Sequence, residues 1–182
     1  MASKILLRLI SEAVVPAFLL LASKVGSLFL FNYLFKIPWD FGFAESSIIP
    51  TLAYSSISDA ALAHSASNLL MFGVVFLGCG WVVVKAVHFH QTHISPKRSA
   101  KLAEINLLKL LTSSYDLYHQ AAVWFIFLWA SILILLIYSL TGLTEWWITV
   151  LGFFSSLIFT YLLIDDIEKE ATAWKILGKS HA

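Results

Sequence analysis

Charge is what this 182-residue chain has least of: Asp, Glu, Lys and Arg together make up 13% of it, against about 25% in a water-soluble domain. So little charge cannot cover a water-exposed surface. With 59% hydrophobic residues, the composition also excludes disordered and collagenous chains. The single cysteine, Cys79, rules out an intramolecular disulfide and, lying in an apolar run, reads as a small buried hydrophobe. A formal net charge of +1 lacks the basic footprint of a nucleic-acid binder. The sequence has no G-x-S-x-G elbow, no phosphate-binding glycine loop, no C-x-x-C pair and no H-E-x-x-H motif, so it offers no positive support for catalysis.

What the chain does have is long apolar runs. A spanning helix needs about 20 apolar residues, and residues 13–35, 62–87, 121–140 and 146–164 supply four such stretches. The fold expected is therefore an all-α integral membrane protein with four transmembrane helices. The first run follows Lys4 and Arg8 as a secretory signal would. It is, however, longer than the ~7–15 residues of a signal's apolar core, and it reads as an uncleaved anchor.

Sorting the charges by segment gives an orientation. Ten of the 12 basic residues flank the spans on the side of the two termini, Lys36 lies on the other side, and Lys24 lies inside the first span. The positive-inside rule then predicts cytoplasmic N and C termini. Trp39, Trp146 and Trp147 suit the aromatic belt of the outer interface.

The connections differ in character. Residues 36–61 form an outer loop containing Pro38, Gly42 and Pro50 among aromatic and serine residues, too apolar to be freely solvated. On the inner side, Ser95 and Pro96 give a cap and a first helical position. Residues 96–112 then read as an amphipathic interfacial helix, with Lys97, Arg98, Lys101 and Lys109 turned to anionic lipid headgroups. Ser113 and Asp116 resemble a capping box for the third span, and Gly142 ends it. Thr144 is placed to cap the fourth, which continues as a cytoplasmic helical tail over residues 165–177. Gly73, Gly78 and Gly80 suggest close helix packing.

Three polar groups need a reason to be where they are. Lys24 has eleven span residues on either side, a position costing about 2.5–3.5 kcal/mol near the bilayer centre. Such a residue normally faces a partner or a water-filled cavity. Ser131, Ser155 and Ser156 are its expected companions at that depth, and a carboxylate would have to come from another subunit. Asp59, His64 and Asn68 open the second span, with His64 and Asn68 on one face. They would line a vestibule or bond to the outer loop. On the inner face, His88, His90, His93, Asp116 and His119 cluster at the ends of spans two and three. Imidazoles and a carboxylate can ligate a metal, or two histidines a haem b, although His88 and His90 point about 200° apart on one helix.

These features favour a non-catalytic subunit, scaffold or homo-oligomerising component of a membrane complex, surrounded by lipid and binding no cofactor. The alternatives are a small oligomeric channel or transporter with Lys24 facing the pathway, and a metal- or haem-binding redox protein using the inner histidines.

Overall fold

The computed structural model describes residues 2–43, 50–89, 94–107, 111 and 113–179. It consists of α1 (Ala2–Leu34), β1 (Trp39–Phe43), β2 (Pro50–Tyr54), α2 (Ile57–His88), α3 (Pro96–Glu104), α4 (Ser114–Leu140) and α5 (Trp146–Lys179). Four of the helices are long and apolar enough to cross a membrane, over Leu7–Leu34, Ile57–His88, Ser114–Leu140 and Trp146–Thr172. The chain is a multi-pass membrane protein. Each of these stretches exceeds the ~20 residues a hydrocarbon core requires, so the helices tilt or project beyond it.

The four helices run up, down, up, down, with both termini at one end of the bundle, here the terminal face, and the β-strands at the other, the hairpin face. The α2 and α4 helices form the centre, and α1 and α5 flank them. The reason lies in spacing. On α2, Asn68, Met71, Val75, Cys79, Val82 and Ala86 are buried; on α4, Leu117, Ala121, Phe125, Leu128, Ile132, Leu135 and Ser139 are buried. Both series step by three and four residues, the seam of shallow left-handed crossings. Outward-facing side chains such as Leu7, Phe18, Leu77, Ile126, Leu140 and Phe154 are exposed and apolar, as lipid contact demands.

Small residues set the closest approaches. A side chain at Gly78 would overlap the indole of Trp124, one at Gly80 would press on Phe159, and one at Gly152 would meet Ile132 and Leu135. Gly73 faces open space, so close packing falls to Gly78 and Gly80. Helix α1 is continuous through Pro16, which the loss of one internal hydrogen bond permits in a spanning helix.

The helix ends are built by local chemistry. Ser56 caps α2 by accepting from the Asp59 amide at 3.1 Å, and Ser113 caps α4 by accepting from the Asp116 amide at 3.2 Å. Three helices close with a left-handed residue and paired 6→1 and 5→2 bonds, the Schellman arrangement. Lys36 (φ 53°) follows α1, Asn106 (φ 55°) follows α3 and Gly142 (φ 73°) follows α4. The 6→1 bonds run from Ile37 to Asn32, Leu107 to Leu102 and Leu143 to Tyr138, at 3.0, 2.8 and 2.9 Å.

Two segments differ from the sequence reading. Residues 36–61 include an antiparallel β-hairpin, with Trp39 opposite Tyr54 and Phe41 opposite Leu52. The alternation of Trp39 and Phe41 lays two aromatic groups on one face, where cross-strand pairs stabilise a short ladder. Helix α3 stops at Glu104, short of the expected residue 112, because Asn106 adopts the left-handed conformation that terminates it.

Candidate functional site

A polar cluster lies at the hairpin end of the bundle, centred on Lys24 of α1. Its ammonium donates to the side-chain oxygen of Asn68 on α2 and sits 4.4 Å from the ring centroid of Tyr138 on α4. The ring face is a weak acceptor for a cation. Asn68 is fully buried, and its amide nitrogen donates to the Thr144 hydroxyl at 2.5 Å. Thr144 in turn donates to the carbonyl of Leu143 at 2.9 Å. The hydroxyl expected to cap α5 is thus committed to holding Asn68. One step away, Ser67 donates to the Lys24 carbonyl at 2.8 Å, and Ser27 donates to the Ser67 hydroxyl at 2.9 Å. These bonds lock α1 to α2 at the level of the lysine.

Level matters because the helices end at different heights. From Lys24 to Leu34, α1 rises a further ~15 Å at ~1.5 Å per residue, whereas α4 ends at Leu140, next to Tyr138. Lys24 therefore lies level with the α4–α5 turn, and α1 with the start of α2 projects past that turn. The β-hairpin folds against this projection. Trp39 meets Phe29 edge-on at 5.5 Å, and Asn32 donates to the Tyr54 hydroxyl at 3.2 Å. Burial pushes the Tyr54 phenol above its ordinary value.

His64 stands between the two tyrosines, with ring centroids 5.8 Å from Tyr54 and 5.2 Å from Tyr138. Its Nδ1 is buried without a hydrogen-bond partner, as is Oδ1 of Asn32. An ammonium has three donors; Asn68 and the Tyr138 ring occupy two. Among the described residues no carboxylate pairs with Lys24. The cluster is thus a half-buried cation in a frame of neutral groups, with unspent capacity to bind an acceptor.

The structure brings Lys24, His64 and Asn68 together. Asp59 lies nearer the start of α2, where Ser55 donates to its carboxylate at 3.4 Å. Ser131, Ser155 and Ser156 do not join Lys24: each hydroxyl returns to its own helix, on the carbonyls of Leu128, Leu151 and Gly152 at 2.7, 2.6 and 2.8 Å. The sequence reading missed Tyr138, Thr144 and Ser67. Their signal was position, because the short α4–α5 connection places residues near Gly142 at the same end as the start of span two.

The terminal face is organised differently. Arg8 bridges Glu12 at 2.9 Å and Asp116, tying α1 to α4, with its guanidinium 5.2 Å from the Tyr115 ring. His119 Nδ1 lies 2.7 Å from the Tyr115 carbonyl, and its ring packs on Tyr115. Asp166 and Glu170 of α5 are buried, accepting from Tyr118 at 3.4 Å and Ser114 at 2.7 Å. His88 lines two apolar cavities, while His90 and His93 lie outside the described residues. Among the described residues no three His, Cys, Asp or Glu side chains are grouped to hold a metal. Lys97 and Lys101 are exposed on α3; the Arg98 side chain and Lys109 lie outside the described set.

No protein-family model matches the chain, and comparison with curated proteins and with solved structures likewise gives no match.

Proposed function

We propose that this multi-pass membrane protein is a non-catalytic component of a membrane assembly, in which Lys24 binds an anionic group, a carboxylate, presented by a neighbouring chain. The observation behind this reading is the ammonium's company: a side-chain amide, an aromatic face and no carboxylate among the described residues. A cation half-buried among neutral groups on a spanning helix is costly unless it meets a partner. Toward the terminal face the interior is filled by Met71, Val75, Leu128 and Leu135, all fully buried. That packing favours docking over a pathway through one chain. The basic residues gathered at the terminal face support a cytoplasmic location for both termini.

The test is the size of the assembly in mild detergent, read by light scattering after extraction from the expressing membrane. The wild-type chain is expected to run above monomer mass, Lys24→Met to fall to monomer, and Lys24→Arg to retain the assembly. A monomeric wild type, or an assembly indifferent to Lys24→Met, would overturn the reading.

A further inference from the structure

Two apolar cavities meet at His88. One, of 540 Å³, runs along the lipid-facing groove between α2 and α5, lined by Phe76, Gly80, Trp81, Val84, Phe159 and Leu162. The other, of 370 Å³, lies beneath α3, where Phe89, Ile94, Leu102 and Ile105 form the walls and Lys101 the rim. Gly80 lines this groove, and a Cβ there would come to 3.3 Å from Phe159, whose ring stacks on Phe76 at 4.3 Å.

We propose that this pair of cavities is a binding site for one anionic phospholipid of the leaflet on the terminal face, with an acyl chain along the α2–α5 groove and the phosphate between His88 and Lys101. Three observations select that occupant. The groove lies within two membrane spans, so the bilayer is what covers it. From Phe76 to His88 it extends ~18 Å along the helix, close to the ~15 Å of one leaflet's hydrocarbon. The walls are apolar throughout, and the charged and imidazole residues among the lining, Lys101 and His88, stand at the terminal end, where the membrane's headgroups begin. A basic pocket at the foot of spanning helices is what holds an anionic headgroup. Helix α3 acts as the clasp, setting Leu102 and Ile105 over the glycerol region while Lys101 reaches the phosphate.

Native mass spectrometry of the full chain tests this, after extraction from bilayers of equal palmitoyl-oleoyl phosphatidylglycerol and phosphatidylcholine. The wild type is expected to retain one phosphatidylglycerol, preferred about fivefold or more, the ratio one lysine confers near an anionic surface. Val84→Trp, which fills the groove from its lipid side, is expected to abolish retention of both lipids. Lys101→Glu, at an exposed position on α3, is expected to erase the preference. Brominated phosphatidylglycerol should quench the part of the fluorescence lost in Trp81→Phe. A lipid-free wild type, equal retention of the two lipids, or variants that retain lipid as the wild type does would each overturn the site.

Discussion

Lys24 and Asn68 bind one another across the α1–α2 interface, a cation on an amide oxygen whose other end is fixed by Thr144. The two ends of this bond are unequal. Removing Asn68 takes a charge-assisted hydrogen bond from the half-buried ammonium, worth about 1.5–3 kcal/mol, and the Thr144 bond with it. Removing the lysine leaves one neutral amide oxygen unsatisfied, at about 1–3 kcal/mol, and keeps the Thr144 bond. Asn68→Leu is therefore expected to lower the unfolding midpoint in detergent more than Lys24→Met. The double variant should be less destabilised than the sum of the two, as contacting residues are. Additive losses would mean that the pair does not couple.

The glycines of α2 make a sharper internal comparison. A methyl group at Gly78 would overlap the Trp124 indole, whereas one at Gly73 meets nothing within 4 Å. Gly78→Ala should cost about 1–3 kcal/mol as an overpacked contact, and Trp124→Phe in the same chain should restore part of it. Gly73→Ala should be neutral, or more stable by up to about 1 kcal/mol through helix propensity. Thermal unfolding of the three variants and the wild type under identical detergent conditions decides between this and a uniform role for the glycines.

The same contrast shows where the sequence was readable. Four long apolar runs, the cap at Ser113 and the stop at Gly142 follow from hydropathy and local chemistry, and α4 starts and ends accordingly. The surroundings of Lys24 do not follow from such local terms. Its depth was judged from the midpoint of its own apolar run, which assumes that all four helices begin at one level. Because α1 and α2 project past the α4–α5 turn, Lys24 meets Tyr138 and Asn68 rather than mid-span serines. Those serines had no need of it, having carbonyls of their own turns within reach. The β-hairpin was hidden for another reason: the aromatic alternation of Trp39, Phe41 and Phe43 is too short to stand apart from an interfacial loop.

Lys36 is a site of removable strain. It closes α1 in the left-handed conformation at φ 53°, which costs a residue with a Cβ about 1–2 kcal/mol. Gly142 fills the equivalent place after α4 at φ 73° without that cost. Lys36→Gly should raise stability by about 0.5–1 kcal/mol after allowance for the greater freedom of glycine in the unfolded chain. Gly142→Ala should lower it by more than that. Opposite signs in paired thermal scans are the expected result; two losses would show that the Lys36 side chain contributes more than its backbone costs.

Orientation can be read chemically, because the native thiol is out of the way. Cys79 is fully buried in the α2 seam, so a membrane-impermeant maleimide should leave the wild-type chain unlabelled. Ser55 lies exposed between the β-hairpin and α2, and Ala100 lies exposed on α3 at the opposite face. With both termini in the cytoplasm, Ser55→Cys should label in intact cells and Ala100→Cys only after permeabilisation. The reverse pattern would invert the protein in the membrane and contradict the positive-inside reading of its basic residues. Labelling of both from the same side would go further, because an odd number of spans cannot separate the two positions, and the arrangement of α2 would then have to be abandoned.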